Sequence, residues 1–223
     1  GILGFSQMMM EELFGSLGHS NNKTYVNDIH HAGQHLLRLV NEILDISKIE
    51  AGELTLLETE VDVAEVIETS IALGSSQISV AGLSLSTHID ENLPFLLADK
   101  TRIEQILNNL ISNAVKFTRP DTVITQEVEI DGNGDIHFHI RDRGTGMTAA
   151  DLVRVQEPFI RLEGANTSQE EGTGLGLAIT KRIAQSHAGS LTLSSEVGVG
   201  TTATVSFLSE RVVLPKPAAN GFS

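Results

Sequence analysis

Two side-chain amides one helical turn apart, followed by a lysine, are the residues of this sequence whose types and spacing first suggest chemistry. In Gln105-Ile-Leu-Asn-Asn-Leu-Ile-Ser-Asn113-Ala-Val-Lys116-Phe117-Thr118, Asn109 and Asn113 are four positions apart and project from one face of a helix. Carboxamide oxygens are hard ligands suited to Mg²⁺, which keeps several waters and bridges substrate phosphates. Lys116, on a neighbouring face, offers a point charge for a phosphate. Leu107, Leu110 and Ile111 lie on other faces and pack inward. Taken alone, paired asparagines on a helix make no more than a polar face.

A second group is Asp142-Arg-Gly144-Thr-Gly146-Met147, directly after the alternating stretch Ile136–Arg141. A carboxylate at a strand end can accept from an exocyclic amine such as adenine's, and Gly144 and Gly146 let backbone come close to a base or turn with positive φ. A third is Gly172-Thr173-Gly174-Leu175-Gly176-Leu177 ahead of a helical pattern. Glycines before a helix start leave backbone N–H groups aimed at an anion, aided by the helix dipole. The spacing is not that of a Walker-type loop, and no strand precedes it as a dinucleotide fingerprint requires. An Asp–Gly turn after a strand is ordinary; it is the order of the three groups that carries information.

The elements that must position them alternate between helix and strand. Ile29, Leu36 and Ile43 recur every seven residues along a helix from about Asn22 to Ala51, which is a bundle seam. Ile2–Phe14 reads as the end of a preceding helix, with a polar turn at Gly15–Asn22. Such a hairpin cannot bury its seam alone, so a partner copy is expected to complete a four-helix bundle. Beyond it, Leu54–Glu60 and Leu83–Ile89 read as strands, and Val63–Val80 and Asp99–Phe117 as helices. Glu127–Ile130 and Ile136–Arg141 flank Asp131-Gly132-Asn133-Gly134, a hairpin signal. Gly174–His187 reads as a helix, and Ser190–Glu196 with Thr202–Leu208 as a second hairpin. The fold class is α+β, with helices on one face of a mixed sheet. From Ser209 onward Pro215 and Pro217 suggest a tail or linker.

Composition bounds the rest. The 223 residues carry a formal charge of −14, with 40% apolar residues and no cysteine. Disulfides and thiolate metal sites are therefore excluded, and an acidic surface repels phosphate backbones, so no nucleic acid is expected. No apolar run approaches the roughly 18–20 residues that span a bilayer, so this segment is expected to make no membrane contact. The first residue is Gly1 rather than Met, and the sequence reads as a piece excised from a longer protein.

Taken together, the sequence resembles the sensor histidine kinases of two-component systems, within the wider group sharing the gyrase-type ATP fold. Asn109–Thr118 is similar to that family's asparagine box, Asp142–Gly146 to its first glycine box, Glu157-Pro158-Phe159 to its phenylalanine box and Gly172–Leu177 to its second glycine box. Gly198-Val-Gly200-Thr201-Thr202 resembles the closing glycine–threonine element. At the front, Ile2-Leu-Gly-Phe-Ser6 and Leu44-Asp-Ile-Ser-Lys-Ile-Glu-Ala-Gly52 resemble the two helices of the phosphotransfer hairpin. The likeness covers roughly residues 1–208.

The resemblance implies a helical hairpin that dimerises into a four-helix bundle, followed by an α/β sandwich of the gyrase, heat-shock chaperone and histidine kinase ATPase type. It divides the chain into 1–52 as hairpin, 53–208 as ATP-binding catalytic domain and 209–223 as tail. ATP and Mg²⁺ are the implied ligands. Asn113 with Asn109 would hold the metal, and Asp142 would read adenine's amino group, helped by Thr202 through a water. Lys116 and Phe117 would line the site, Gly172, Thr173, Gly174, Leu175, Gly176 and Leu177 would contact phosphates, and Arg161 would add a further phosphate contact. The γ-phosphoryl group would pass to a hairpin histidine and then to the aspartate of a response-regulator receiver domain, in the cytoplasm, either alone or as the cytoplasmic part of a membrane-bound sensor. Hydrolytic relatives carry a glutamate one turn before the metal asparagine; here that position is Asn109, which cannot act as a base.

Departures from the family pattern support one alternative, a regulatory pseudokinase scaffold that binds nucleotide weakly. The segment after Arg161 carries Glu163, Glu170 and Glu171, Gln156 replaces a common phenylalanine, and Ala188 replaces a common glycine with little expected effect. The phosphoacceptor histidine is expected ahead of Gly1. His30, His31 and His35 fall on the second hairpin helix, where a solvated face is expected, and His137 and His139 alternate on one strand as surface residues.

Overall fold

The computed structural model describes residues 1–90, 93–162 and 173–213. The chain divides into two compact units, Gly1–Glu53 and Leu54–Ser223. In the first, α1 (Ile2–Met10) and α2 (Ser20–Glu50) pack as a hairpin. They come close at Gly33, where a Cβ would lie 3.0 Å from Leu3 Cδ2. The buried Ser6 hydroxyl sits 2.9 Å from His30 Nδ1 and donates to Ile2 O at 2.8 Å. α1 is shorter than its apolar pattern suggests, because Glu12 turns to a φ of 52° and breaks it. Ile29, Leu36 and Ile43 remain about half exposed within one copy.

The second unit is a mixed sheet covered on one face by helices. Asp62 caps α3 (Val63–Val80) by accepting from Ala64 N and Glu65 N, and the short β1 (Thr59–Asp62) leads directly into it. β2 (Ser84–Ile89) runs parallel to β4 (Val123–Ile130), which pairs antiparallel with β5 (Ile136–Arg141). β5 pairs with β7 (Gly200–Phe207), and β6 (Ser190–Glu196) closes the order β2-β4-β5-β7-β6. Phe138, Ile140, Val205 and Phe207 face inward, toward a layer of α3, α4 (Lys100–Phe117) and α6 (Gly176–Ser186). The outward face is polar. His137 and His139 hydrogen-bond Ser206 and Thr204 across β7, with Asp131 and Glu129 beside their Nε2 atoms.

Some elements differ from the sequence pattern. β3 (Phe95–Ala98) lies between β1 and β8 (Val212–Val213) in a small second sheet. The segment that reads as a tail therefore contributes a 3₁₀ turn at Ser209–Arg211 and a paired strand. Arg211 fastens it, donating to Glu58 Oε1 at 2.6 Å and Leu97 O at 2.9 Å. β4 begins four residues earlier than expected, because the buried Gln126 faces the core and interrupts the alternation, donating to Ser70 Oγ at 3.1 Å. A further short helix, α5 (Ala149–Arg154), is capped by Thr148 on Asp151 N. Among the described residues, no group of three or more His, Asp or Glu could hold a metal, and no helix is long and apolar enough to cross a membrane.

The start of α4 is tied to the end of α6. Asp99 Oδ1 accepts from Arg102 N and Oδ2 from Leu57 N, while Asp99 N–H donates to Nε2 of the fully buried His187 at 3.1 Å. His187 Nδ1–H donates to Ile183 O at 2.9 Å, so the ring is neutral. Burial, the largest influence, holds the His187 pKa below its ordinary value. The folded pKa thus lies below the unfolded one. The stability this provides is complete above about pH 6.5 and falls as the pH drops through that value. Melting temperature should fall between pH 7 and 5, and a His187→Gln variant should lose part of that slope.

Just beyond, α6 ends in a Schellman turn: Gly189 N–H donates to Ala184 O and Ala188 N–H to Gln185 O. Ala188 occupies the left-handed position with φ 54°, where glycine is unstrained. The alanine carries a modest backbone strain here. Ala188→Gly should raise stability by roughly 0.5–1 kcal/mol in urea unfolding.

Candidate functional site

α4 presents its amides because its other face is fully committed. Ile103, Ile106, Leu107 and Leu110 are at most 2% exposed, which fixes the helix rotation and leaves Asn109 and Asn113 half-buried at the edge. Both meet the first residue of α6: Asn109 Nδ2 donates to Gly176 O at 3.4 Å, and a Cβ at Gly176 would lie 3.9 Å from Asn113 Nδ2. The N-cap of α6, Leu175, provides no side-chain cap. Its first-turn N–H groups therefore remain for solvent or an anion. Thr173 Oγ1 accepts from Leu175 N at 3.1 Å, and the completely buried Leu175 anchors that turn in the core. Leu177 follows, half-buried, in the first turn of the helix.

Three backbone segments converge at the far end of α4. Lys116 is half-buried and Phe117 exposed; Thr118 then forms a β-bridge with Gly144. A Cβ at Gly144 would lie 2.2 Å from Phe117 O, so only glycine allows this contact. Gly146, with φ 65°, presses on Glu196 O, and Gly200, with φ 139°, presses on Asp142 O. Inside this corner Asp142 Oδ1 accepts from Gly144 N at 2.8 Å and Thr201 N at 3.2 Å. Among the described residues both of these bonds fall on Oδ1, so one oxygen fixes the carboxylate and Oδ2 is left for a further donor. Burial pushes the Asp142 pKa up, and the two N–H donors oppose it.

Gly174 (φ 71°) accepts from Phe159 N at 3.0 Å and would clash with Ile160 O if it carried a Cβ. The phenylalanine segment and the second glycine segment are thereby pinned together, with Phe159 itself at φ 65°. Arg161 follows, exposed. Gly172, Glu163, Glu170 and Glu171 lie outside the described residues. Thr202, expected to reach Asp142 through a water, has its hydroxyl accepting from Arg141 Nε at 3.3 Å. The closing element also contacts Asp142 directly, through the backbone N–H of Thr201. Gly200, which the sequence marks as part of that closing element, makes its close backbone approach to Asp142 O, a contact visible only in three dimensions.

The sequence profile of the histidine kinase-, DNA gyrase B- and HSP90-like ATPases matches residues 98–211. The chain belongs to that family. The His Kinase A (phospho-acceptor) domain profile matches residues 1–52. The chain is 42% identical over 204 residues to the non-motile and phage-resistance protein of Caulobacter vibrioides, covering 90% of this chain and 24% of that protein. It is 36% identical over 220 residues to the cell-division control histidine kinase PdhS of Brucella anthropi, covering 95% and 21% respectively. It thus spans about a quarter or less of these relatives' lengths. Among solved structures it resembles full-length ShkA in complex with AMPPNP, with a TM-score of 0.77 and 26% identity, over 96% of this chain and 43% of that one. The histidine kinase AdeS of Acinetobacter baumannii shares the fold at a TM-score of 0.67 and 20% identity, over 93% and 94% of the two chains.

In this histidine kinase segment, the glycines of the Asp142 corner are not equivalent. Gly144→Ala must displace backbone, whereas a Cβ at Gly198 meets open space at φ 82°. Gly144→Ala should destabilise at the upper end of ~1–3 kcal/mol, and Gly198→Ala by only ~1 kcal/mol, in parallel chemical denaturation.

Proposed function

We propose that this chain binds ATP between α4, the Asp142 corner and the start of α6. As part of its parent protein, it passes the γ-phosphoryl group to a histidine of the helical hairpin and onward to a receiver-domain aspartate. The observation that carries this reading is the abutment of the Asn109–Asn113 face on the uncapped start of α6. It sets hard oxygen ligands beside anion-binding N–H groups. Mg²⁺, when bound, supplies neutralising charge across the phosphates.

The chain's own groups divide the work. Asp142 Oδ2 accepts from an exocyclic amine while Oδ1 stays fixed by Gly144 and Thr201. Asn113 and Asn109 offer carboxamide oxygens to the metal. Gly174, Leu175, Gly176 and Leu177 border the phosphates, with Thr173 holding the turn. Gly144 and Gly146 keep that corner thin enough for a base, Phe117 and Lys116 line it, and Lys116 and Arg161 add positive charge. Asn109 has no basic lone pair near neutral pH, so no side chain at that position activates water, which favours transfer to a delivered nucleophile. The half-exposed Ile29, Leu36 and Ile43 row supports a second copy completing a four-helix bundle.

Calorimetric titration with Mg-ATP tests the reading. Asn113→Ala should weaken binding by about tenfold or more, as loss of a charge-assisted ligand does. Asp142→Asn should weaken it similarly, because the amide that replaces Oδ2 donates where the base also donates. The fold should survive that change, since a neutral group removes the burial penalty on the carboxylate. Absence of binding by the unaltered chain would sink the proposal.

A further inference from the structure

The loop Asp142–Met147 and the β6–β7 turn are stitched together largely by backbone. Asp142 N–H donates to Thr201 O at 2.8 Å, Gly198 N–H to Thr145 O at 2.7 Å, and Thr201 N–H to Asp142 Oδ1 at 3.2 Å. One side-chain hydroxyl joins the two loops as well. Ser195 Oγ accepts from Met147 N at 2.8 Å, donates to Gly200 O at 2.8 Å and lies 2.9 Å from Thr201 Oγ1. A hydroxyl donates once and accepts twice. With its proton on Gly200 O, Ser195 accepts from Met147 N–H and from the Thr201 hydroxyl, and its capacity is filled. Ser195 and Thr201 face each other across the hairpin, one residue pair before Gly200 closes on Asp142.

We infer that Ser195 is a positioning residue for base recognition: by fixing the turn whose Thr201 N–H aims the Asp142 carboxylate, it sets the preference for an amino-bearing purine. This rests on the nucleotide reading above. Removing the hydroxyl leaves Met147 N–H and Gly200 C=O without their partner and frees Thr201 to shift. Asp142 then keeps only the Gly144 donor from its own loop, and its outward oxygen loses its fixed direction. Ser195 itself touches neither the base nor the phosphates in this scheme; it acts through Thr201 and Asp142.

The test compares Mg-ATP with Mg-ITP, whose base carries a carbonyl oxygen in place of the amine and cannot donate to Asp142. Affinities for both are measured on the full chain and on Ser195→Ala and Thr201→Val, with melting curves alongside. Ser195→Ala should lose about tenfold on ATP and less than about twofold on ITP, so that the ratio of the two collapses. Thr201→Val keeps the backbone donor and the side-chain shape but not the hydroxyl, and should shift the ratio the same way by less. A merely structural role would weaken both nucleotides together and leave the ratio at its original value, which overturns the inference, as do unchanged affinities. If Ser195→Ala does not fold, an unchanged ratio in Thr201→Val decides against it. If the unaltered chain binds neither nucleotide, the nucleotide reading itself fails and takes this inference with it. Equal binding of both nucleotides by the unaltered chain removes Asp142's selectivity, and the inference with it.

Discussion

α4 has to bury one face completely, and the rest of the site is arranged around that constraint. It packs against α3 and α6; its approach to α3 is close enough that a Cβ at Gly74 would lie 3.0 Å from Ile111 Cγ2. With Leu107 and Ile106 sealed in the core, the helix has no rotational freedom left. Truncating such a residue costs about 2–5 kcal/mol, far more than any contact the amides make. Apolar packing therefore decides where Asn109 and Asn113 point, and the polar chemistry inherits its geometry from the core.

The same economy governs the carboxylate. An overall charge of −14 is a poor setting for any anion, yet neutral donors are gathered here: N–H groups left uncapped at the start of α6, and loop N–H groups that hold the Asp142 carboxylate itself. Backbone dipoles fixed by folding need no counter-charge and no reorganisation. The acidity of the chain is thus no obstacle to the proposed phosphate contacts, because the local field and not the net charge decides.

How much of this was legible in the sequence varied with the physics of each element. The turn-by-turn spacing of Asn109 and Asn113 is a helical signal, and α3 and β5 follow their patterns to the residue. β3 was missed because four apolar residues after a proline carry no periodicity. β4 was shortened because Gln126, a polar residue facing the core, imitates a change of face. α5 had a signal that went unused, the Thr148-to-Asp151 capping pattern. The contact of Gly200 with Asp142 showed only as a glycine, and that of the Thr201 N–H had no signal, since it is made by a backbone atom. Side-chain chemistry leaves a mark on the alphabet; main-chain chemistry leaves one only through glycine.

The small sheet β1-β3-β8 has a consequence for how such units are strung together. β1 and β8 flank the same strand, and Arg211 reaches across to Glu58, just ahead of β1. The first and last described strands of this unit thus lie on either side of one strand. A cassette with adjacent doorways can be spliced between other modules without lengthening the path of the chain that threads them. The Arg211–Glu58 pair acts as the clasp of such a cassette, holding its first and last described strands on one shared neighbour.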